Sequence, residues 1–325
     1  MLAEFDLIRR YLMPSPTRHA ADGVALGSGD DAALLVPQAG HQLAVSVDTS
    51  VVDVHFPGDA PAFAVGHRAL AVALSDLAAM GAKSRWCFMA LTLDQRRFAD
   101  DAATHAWMEG FGQGFHTLCQ RHATTLAGGD VTSGALTVGV TVMGETPQGQ
   151  ALRRDGARPG DVIAVTGELG GGAGGLALWQ RGERHLEHPL LQRYLLPEPR
   201  LAAGEALLGL ASAAIDISDG LLADLGHVRH ASSVGAVLDI EALPLAQGLE
   251  EALGGEAARQ AALSGGDDYE LLVTLAPEKV EEAQQRLSGF GLGLTVIGHC
   301  SETPGVQGIP SGGRAGWQHF NEGTP

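Results

Sequence analysis

Hydrophobic and polar positions along the chain switch repeatedly between the strand period of two and the helical period of 3.6. Residues 43–47 (LAVSV) and 86–93 pattern as strands, and 65–80, apolar nearly all round, as a buried helix. Residues 98–121 are helical, and 124–127 running into 136–143 predict two strands joined by a Gly-rich turn. After Gly144 the chain turns polar, with Pro147, Gly149, Gly156, Pro159 and Gly160, which marks a domain boundary. The second half restarts with a strand at 162–166, a Gly-rich loop and a helix at 173–180. Helices follow at 200–210, 221–230 and 277–287, and strands at 213–217, 236–240, 269–275 and 292–298. Several strands lie near hairpin turns, so the expected fold is α/β (α+β): two domains with mixed sheets, residues 1–148 and 149–325, rather than one doubly wound parallel sheet.

Composition narrows the function. With 325 residues, 45% of them hydrophobic and only 18% charged, the chain can bury a sizeable core in two domains. Its 21 basic and 38 acidic residues leave a net charge of −17, which disfavours nucleic acid and anionic membrane as partners. No apolar run approaches the length of a bilayer span, and the start, with Glu4, Asp6, Arg9 and Arg10, does not pattern as a signal peptide. The cysteines Cys87, Cys119 and Cys300 are scattered, which fits a reducing cytoplasm better than a disulfide framework. Lysine occurs only at Lys83 and Lys279, and neither a P-loop nor the strand lysine of protein kinases is present.

Aspartate recurs beside glycine or a hydroxyl, in Gly29–Asp30–Asp31, Ser46–Val47–Asp48, Ser75–Asp76, Gly128–Gly129–Asp130, Asp216–Ile217–Ser218–Asp219 and Gly266–Asp267–Asp268. Taken singly, each is ordinary turn or cap chemistry. Asp76 is different, because it interrupts an apolar helix. A buried carboxylate is costly unless paired or coordinated, so either Arg68 or a metal ion should face it. Asp48, at the end of the LAVSV strand, reads the same way. Clustered oxygen ligands without histidine or thiolate partners suit Mg²⁺ shared with substrate phosphates, and that would let a −17 chain hold a polyphosphate. Arg153–Arg154 offers direct phosphate contact or is a solvated linker. The Gly167–Gly175 run opens a helix whose free N–H groups could meet a phosphate, although close helix packing is the commoner reason for such glycines. His55 is near enough to Asp48 in sequence for a substrate contact, and Trp317 offers a flat ring.

The segments GDDAA (29–33), SVDTSVVDVHF (46–56), ALAVALSDLAAMGA (69–82), GGD (128–130), AIDISDGLLADLGH (214–227) and SGGDDYEL (264–271), in this order, resemble the thiamine-monophosphate kinase family. The likeness extends from about Glu4 to the WQHF tail. The family belongs with aminoimidazole ribonucleotide synthetase and other enzymes that use ATP without a P-loop. The resemblance implies ATP-dependent phosphorylation of thiamine monophosphate to thiamine diphosphate, by direct in-line γ-phosphoryl transfer with several Mg²⁺ ions. It also implies a homodimer whose N-terminal strands form a shared barrel, an N-terminal domain for ATP, Mg²⁺ and dimerisation, and a C-terminal α/β domain. Carried over position by position, Asp31, Ser46, the Val47 carbonyl, Asp48, Asp76, Asp130, Asp216 and Asp219 would hold Mg²⁺. Gly129, Asp130, Arg154 and Ser218 would contact ATP, and His55, Asp267 and Trp317 the thiamine phosphate.

Three positions depart from the family. Asp267 stands where glutamate is usual, Gly170–Gly171–Gly172–Ala173 replaces a Gly-Asp-Ser, and Trp317 stands where tyrosine occurs. The acceptor is an already ionised phosphate, so no general base is assigned. An aminoimidazole-ribonucleotide-synthetase-like enzyme, a non-catalytic nucleotide-binding regulator and a Mg²⁺-dependent phosphatase are the alternative readings. Selenophosphate synthesis is disfavoured, because no cysteine precedes Cys87.

Overall fold

The structure, a computed structural model, describes residues 4–13 and 23–309. It divides into two compact units, Met1–Leu77 with Ala82–Gly149, and Ala78–Gly81 with Gln150–Pro325.

The first unit opens with a short helix, α1 (Glu4–Leu7), continued by a wider turn at Ile8–Leu12, and a two-stranded ribbon of β1 (Val24–Leu26) and β2 (Leu34–Leu35). Strand β3 (His41–Val51), helix α2 (Ala62–Ala79), strand β4 (Lys83–Leu93), helix α3 (Asp101–Arg121) and strands β5 (Thr125–Ser133) and β6 (Thr137–Pro147) follow. Their sheet has the order β3-β6-β4-β5. Alternation drives β6, whose Val138, Val140 and Val142 point into the core. Helix α3 starts where Asp100 accepts the Ala103 N–H at 2.8 Å. It packs on α2 through facing glycines: a Cβ on Gly66 would lie 2.0 Å from the Phe111 carbonyl oxygen, and one on Gly114 2.0 Å from that of Phe63.

Three expectations are corrected here. The strands β5 and β6 are not a hairpin: β4 lies between them, parallel to β5 and antiparallel to β6. The reason is that α3 carries the chain across the sheet, a β-α-β crossover that delivers a parallel strand. Strand β3 does not end at Asp48 but runs to Val51, so Asp48 sits in mid-strand opposite Val140. Helix α2 is long and apolar enough, by length and composition, to cross a membrane; 83% of it is buried within the structure, as a core helix would be.

The second unit contains β7 (Val162–Thr166), α4 (Gly171–Gln180), α5 (Pro189–Leu195), α6 (Leu201–Ala206), β8 (Ala211–Asp216), α7 (Leu221–Ser232) and β9 (Gly235–Leu238). After these come α8 (Leu249–Leu253), α9 (Gly255–Ser264), β10 (Leu271–Leu275), α10 (Val280–Ser288), β11 (Leu294–Ser301) and β12 (Val306–Gln307). The sheet order is β12-β9-β11-β7-β10-β8, antiparallel except where β12 joins β9. The LLVTL run of β10, apolar except for Thr274, is buried at every position, as befits a strand with neighbours on both edges. Leu221, Leu225 and Val228 of α7 pack on Ile215, Leu272 and Ile297. This places the β8–α7 connection, with its aspartates, at the edge of a rigid core.

Candidate functional site

In the first unit, the alternation of β3 puts Ser46 and Asp48 on one face and Val47 on the other. Leu43, Val45 and Val47 are 45, 55 and 65% exposed, so β3 does not bury its apolar residues up to the carboxylate as the sequence suggested. Asp76 is half-buried rather than enclosed, and the Ser46 hydroxyl donates to its Oδ2. The other partner considered for Asp76, Arg68, instead donates from Nε to the His55 carbonyl at 3.1 Å. His55 accepts the Val51 N–H on Nδ1 at 3.0 Å, so its ring proton sits on Nε2. Asp31 is exposed on the β1–β2 connection, its N–H bonded to Asp30 Oδ1 at 2.8 Å. Gly129 and Asp130 lie within β5, paired with Met89 and Ala90, rather than after a strand. Strands β3 and β5 are opposite edges of the sheet, about 14 Å apart across three strand spacings. Within this unit the fold thus brings Ser46 and Asp76 together and leaves Asp130 on the far edge.

In the second unit, β8 ends at Asp216, 4% exposed, and the chain turns through Ser218, Asp219 and Gly220 into α7. The SGGDDYE segment docks against this turn. The Asp267 N–H donates to the Ser218 carbonyl and the Tyr269 N–H to that of Ile217, both at 2.8 Å. The Tyr269 hydroxyl donates to Asp267 Oδ1 at 2.7 Å. Gly266, Asp267 and Tyr269 all have positive φ, of 68, 66 and 53°. A left-handed tyrosine is strained, and these two hydrogen bonds hold it. Two sequence-predicted site residues from distant motifs, Ser218 and Asp267, therefore meet through their backbones, with Asp219 the next residue of the same turn. Arg154 is exposed in the inter-domain stretch, and no hydrogen bond or ion pair among the described residues holds its guanidinium, whereas Arg153 is paired with Asp155 at 2.5 Å. Trp317 lies outside the described residues.

Two carboxylates were read from sequence only as helix or turn residues. Asp224, on the first turn of α7 and 2% exposed, accepts on Oδ2 the N–H groups of Ser218, Asp219 and Gly220, each at 3.1 Å. Burial and the nearby charges of Asp216 and Asp219 push Asp224 up to about 7. Asp268 accepts the N–H of Gly170 at 2.8 Å and of Gly172 at 3.2 Å, and burial pushes it up to about 7 against those two bonds. The Gly-rich entry to α4 is therefore not a ready phosphate cradle, since Asp268 already uses those two donors. The signal for Asp224 was its place one turn past a strand-to-helix glycine, where free N–H groups converge.

The donor set fits a hard divalent cation. One ligand atom each from Asp219, Asp224 and His227 lie within 4.8 Å of one another; Asp224 spends its Oδ2 on the three N–H groups of the turn, so Asp219 is the carboxylate of this group that faces a cation. Ser46 and Asp76 offer a second oxygen pair in the first unit.

Comparison with known proteins shows the family. The family model described as AIR synthase related protein, N-terminal domain, matches residues 29–146, and the corresponding C-terminal domain matches 158–309. Thiamine-monophosphate kinase of Salmonella typhimurium is 41% identical over 302 residues, covering 92% of this chain and 90% of that protein. The crystal structure of thiamine-monophosphate kinase from Stenotrophomonas maltophilia superposes with a TM-score of 0.85 at 45% identity, covering 97% of this chain and 98% of that one. AaThiL complexed with AMPPCP and TMP superposes with a TM-score of 0.75 at 30% identity, covering 88 and 89% of the two chains.

Proposed function

The chain belongs to the thiamine-monophosphate kinase family and is a phosphotransferase, and from that premise we propose that it moves the γ-phosphoryl group of ATP directly onto the phosphate of thiamine monophosphate. The products are ADP and thiamine diphosphate. The observation that carries this reading is the docking of Asp267 on Ser218, residues of two separate motifs, at the turn that also holds Asp219. That a relative of 30% identity was solved with both AMPPCP and TMP supports the substrate pair.

In this reading Asp31, Ser46, the Val47 carbonyl, Asp48, Asp76, Asp130, Asp216 and Asp219 hold several Mg²⁺ ions. Gly129, Asp130, Arg154 and Ser218 bind ATP, and His55 and Asp267 bind the acceptor, with Trp317 added from the family likeness. When bound, the Mg²⁺ ions neutralise charge on the phosphate oxygens. The protein positions donor and acceptor in line and supplies no general base, because the acceptor phosphate is already ionised near neutral pH.

Residues 1–148 serve as the ATP, Mg²⁺ and dimerisation domain, and 149–325 as the C-terminal domain. A homodimer is supported by β3, an edge strand with Leu43, Val45 and Val47 exposed on one face, an apolar stripe that a second copy would cover. The free cysteines support a cytoplasmic setting. Incubation with Mg²⁺, ATP and thiamine monophosphate, with chromatography of the products, tests the proposal: thiamine diphosphate and ADP should form in equal amounts.

A further inference from the structure

The turn between β8 and α7 is held from both sides. Its carbonyls at Ile217 and Ser218 accept the N–H groups of Tyr269 and Asp267 at 2.8 Å. Its N–H groups at Ser218, Asp219 and Gly220 all converge at 3.1 Å on one oxygen, Oδ2 of Asp224. Asp224 is itself immobilised, because it is buried on the first turn of α7 beside Leu221 and Leu225, which are fully enclosed in the core.

Backbone N–H groups at the start of a helix are commonly left for solvent or an anionic ligand. Here the protein's own carboxylate takes them, so the backbone of this turn is committed to structure and only its side chains remain to act. Two of those side chains, Ser218 and Asp219, are the ones assigned above to ATP and Mg²⁺. With its N–H edge tied to Asp224 and its C=O edge tied to the 265–269 segment, the turn has little freedom to swing Ser218 or Asp219 out of place. Gly220, at φ 113°, lets the chain bend sharply enough to aim three consecutive N–H groups at one oxygen.

We propose that Asp224 is a positioning residue for the phosphoryl-transfer reaction: its carboxylate oxygen fixes the 218–220 turn so that Ser218 and Asp219 meet Mg²⁺ and ATP preorganised. The proposal rests on the function proposed above. It assigns Asp224 a role through the backbone rather than through contact with substrate, and it depends on a hydrogen-bond acceptor rather than on charge. Asparagine in its place keeps the shape and one accepting oxygen; alanine removes the acceptor.

The experiment compares wild type, Asp224→Asn and Asp224→Ala in kcat, KM for ATP, the Mg²⁺ concentration giving half-maximal rate, and thermal midpoint. Thiamine monophosphate is the acceptor, and hydrogen exchange of the 218–220 amides is measured on the metal-free wild type. Loss of preorganisation should raise KM for ATP and half-saturating Mg²⁺ about tenfold or more in Asp224→Ala. Asp224→Asn should stay within roughly threefold of wild type, as expected when one acceptor replaces another of similar shape. The wild-type amides of Ser218, Asp219 and Gly220 should be protected without metal. Wild-type kinetics in Asp224→Ala would overturn the proposal. So would an equal loss in both variants, which would make Asp224 a charge-dependent ligand. If Asp224→Ala does not fold, free exchange of the three wild-type amides, or a tenfold KM rise in Asp224→Asn, would overturn it. Failure of the wild type to form thiamine diphosphate would instead defeat the function proposed above, and the amide exchange would then judge the turn on its own.

Discussion

The hydroxyl of Ser46, on β3, donates a hydrogen bond to the carboxylate of Asp76, on α2. Thirty residues apart in sequence, the two side chains form one polar contact between a core helix and an edge strand. The carboxylate that interrupts an apolar helix therefore faces a neutral hydroxyl donor rather than the guanidinium of Arg68.

This contact sets the outcome of Asp76→Asn. The amide oxygen still accepts from Ser46, so the metal-free thermal midpoint should change by less than the equivalent of about 1 kcal/mol. If Asp76 holds Mg²⁺ against the phosphates, the rate should fall about a hundredfold, roughly 3 kcal/mol of transition-state stabilisation. Measuring kcat beside the metal-free midpoint separates the two effects. A variant that melts much earlier yet turns over normally at low temperature would make Asp76 a structural residue.

The acceptor should be a phosphate. Free thiamine, which lacks the group that the metal-bound donor must meet, should be phosphorylated far more slowly than thiamine monophosphate. Product analysis with each as sole acceptor decides this, and equal rates would sink the reading.

ATP binding should depend on divalent metal. On a chain of net charge −17, a bare polyphosphate meets carboxylates rather than a cationic cradle. Calorimetric titration with ATP should show feeble binding in chelator and much tighter binding with Mg²⁺. Equal affinities would contradict the role given to the aspartates.

Asp268 makes stability depend on pH. Its folded pKa is pushed up to about 7 from an ordinary 3.8, so between these values the folded state holds a proton that the unfolded state has released. Its contribution is complete below about pH 4, declines as pH rises towards 7 and is flat above, with a slope of at most about 1.4 kcal/mol per pH unit. Denaturant unfolding of the metal-free protein at pH 5 and pH 8 should show a smaller decline for Asp268→Asn than for wild type. Parallel pH profiles would mean that Asp268 does not titrate in this window.

The exposed stripe on β3 should carry self-association. Val45→Glu places a charge among Leu43 and Val47 without touching the buried face of the sheet. Sedimentation should shift from dimer to monomer, while far-UV circular dichroism stays unchanged. A wild-type monomer would remove the dimer from the proposal.

Much was legible in the sequence, for local reasons. The alternating valines of β6, the LLVTL run of β10 and the apolar length of α2 state how deeply each element is buried, since periodicity follows from burial. The near-absence of lysine excluded the common ATP folds, and the repeated aspartates named oxygen-ligand chemistry before any geometry was known. Tertiary structure alone decided which strand lies beside which: α3 inserts β4 between β5 and β6, a choice that no turn residue in the 134–136 stretch encodes. It also decided which carboxylates face solvent and which bind backbone. Asp219 and Asp224 belong to one sequence motif, yet among the described residues Asp224 takes three N–H groups and Asp219 none, because the first turn of α7 points Asp224 inward while Asp219 lies in the turn before the helix. Asp268 finds the amides of Gly170 and Gly172 nearly a hundred residues away. Hydrogen-bond partners of that kind are set by where the chain returns in space, and hydrophobic periodicity along a single segment carries no record of it.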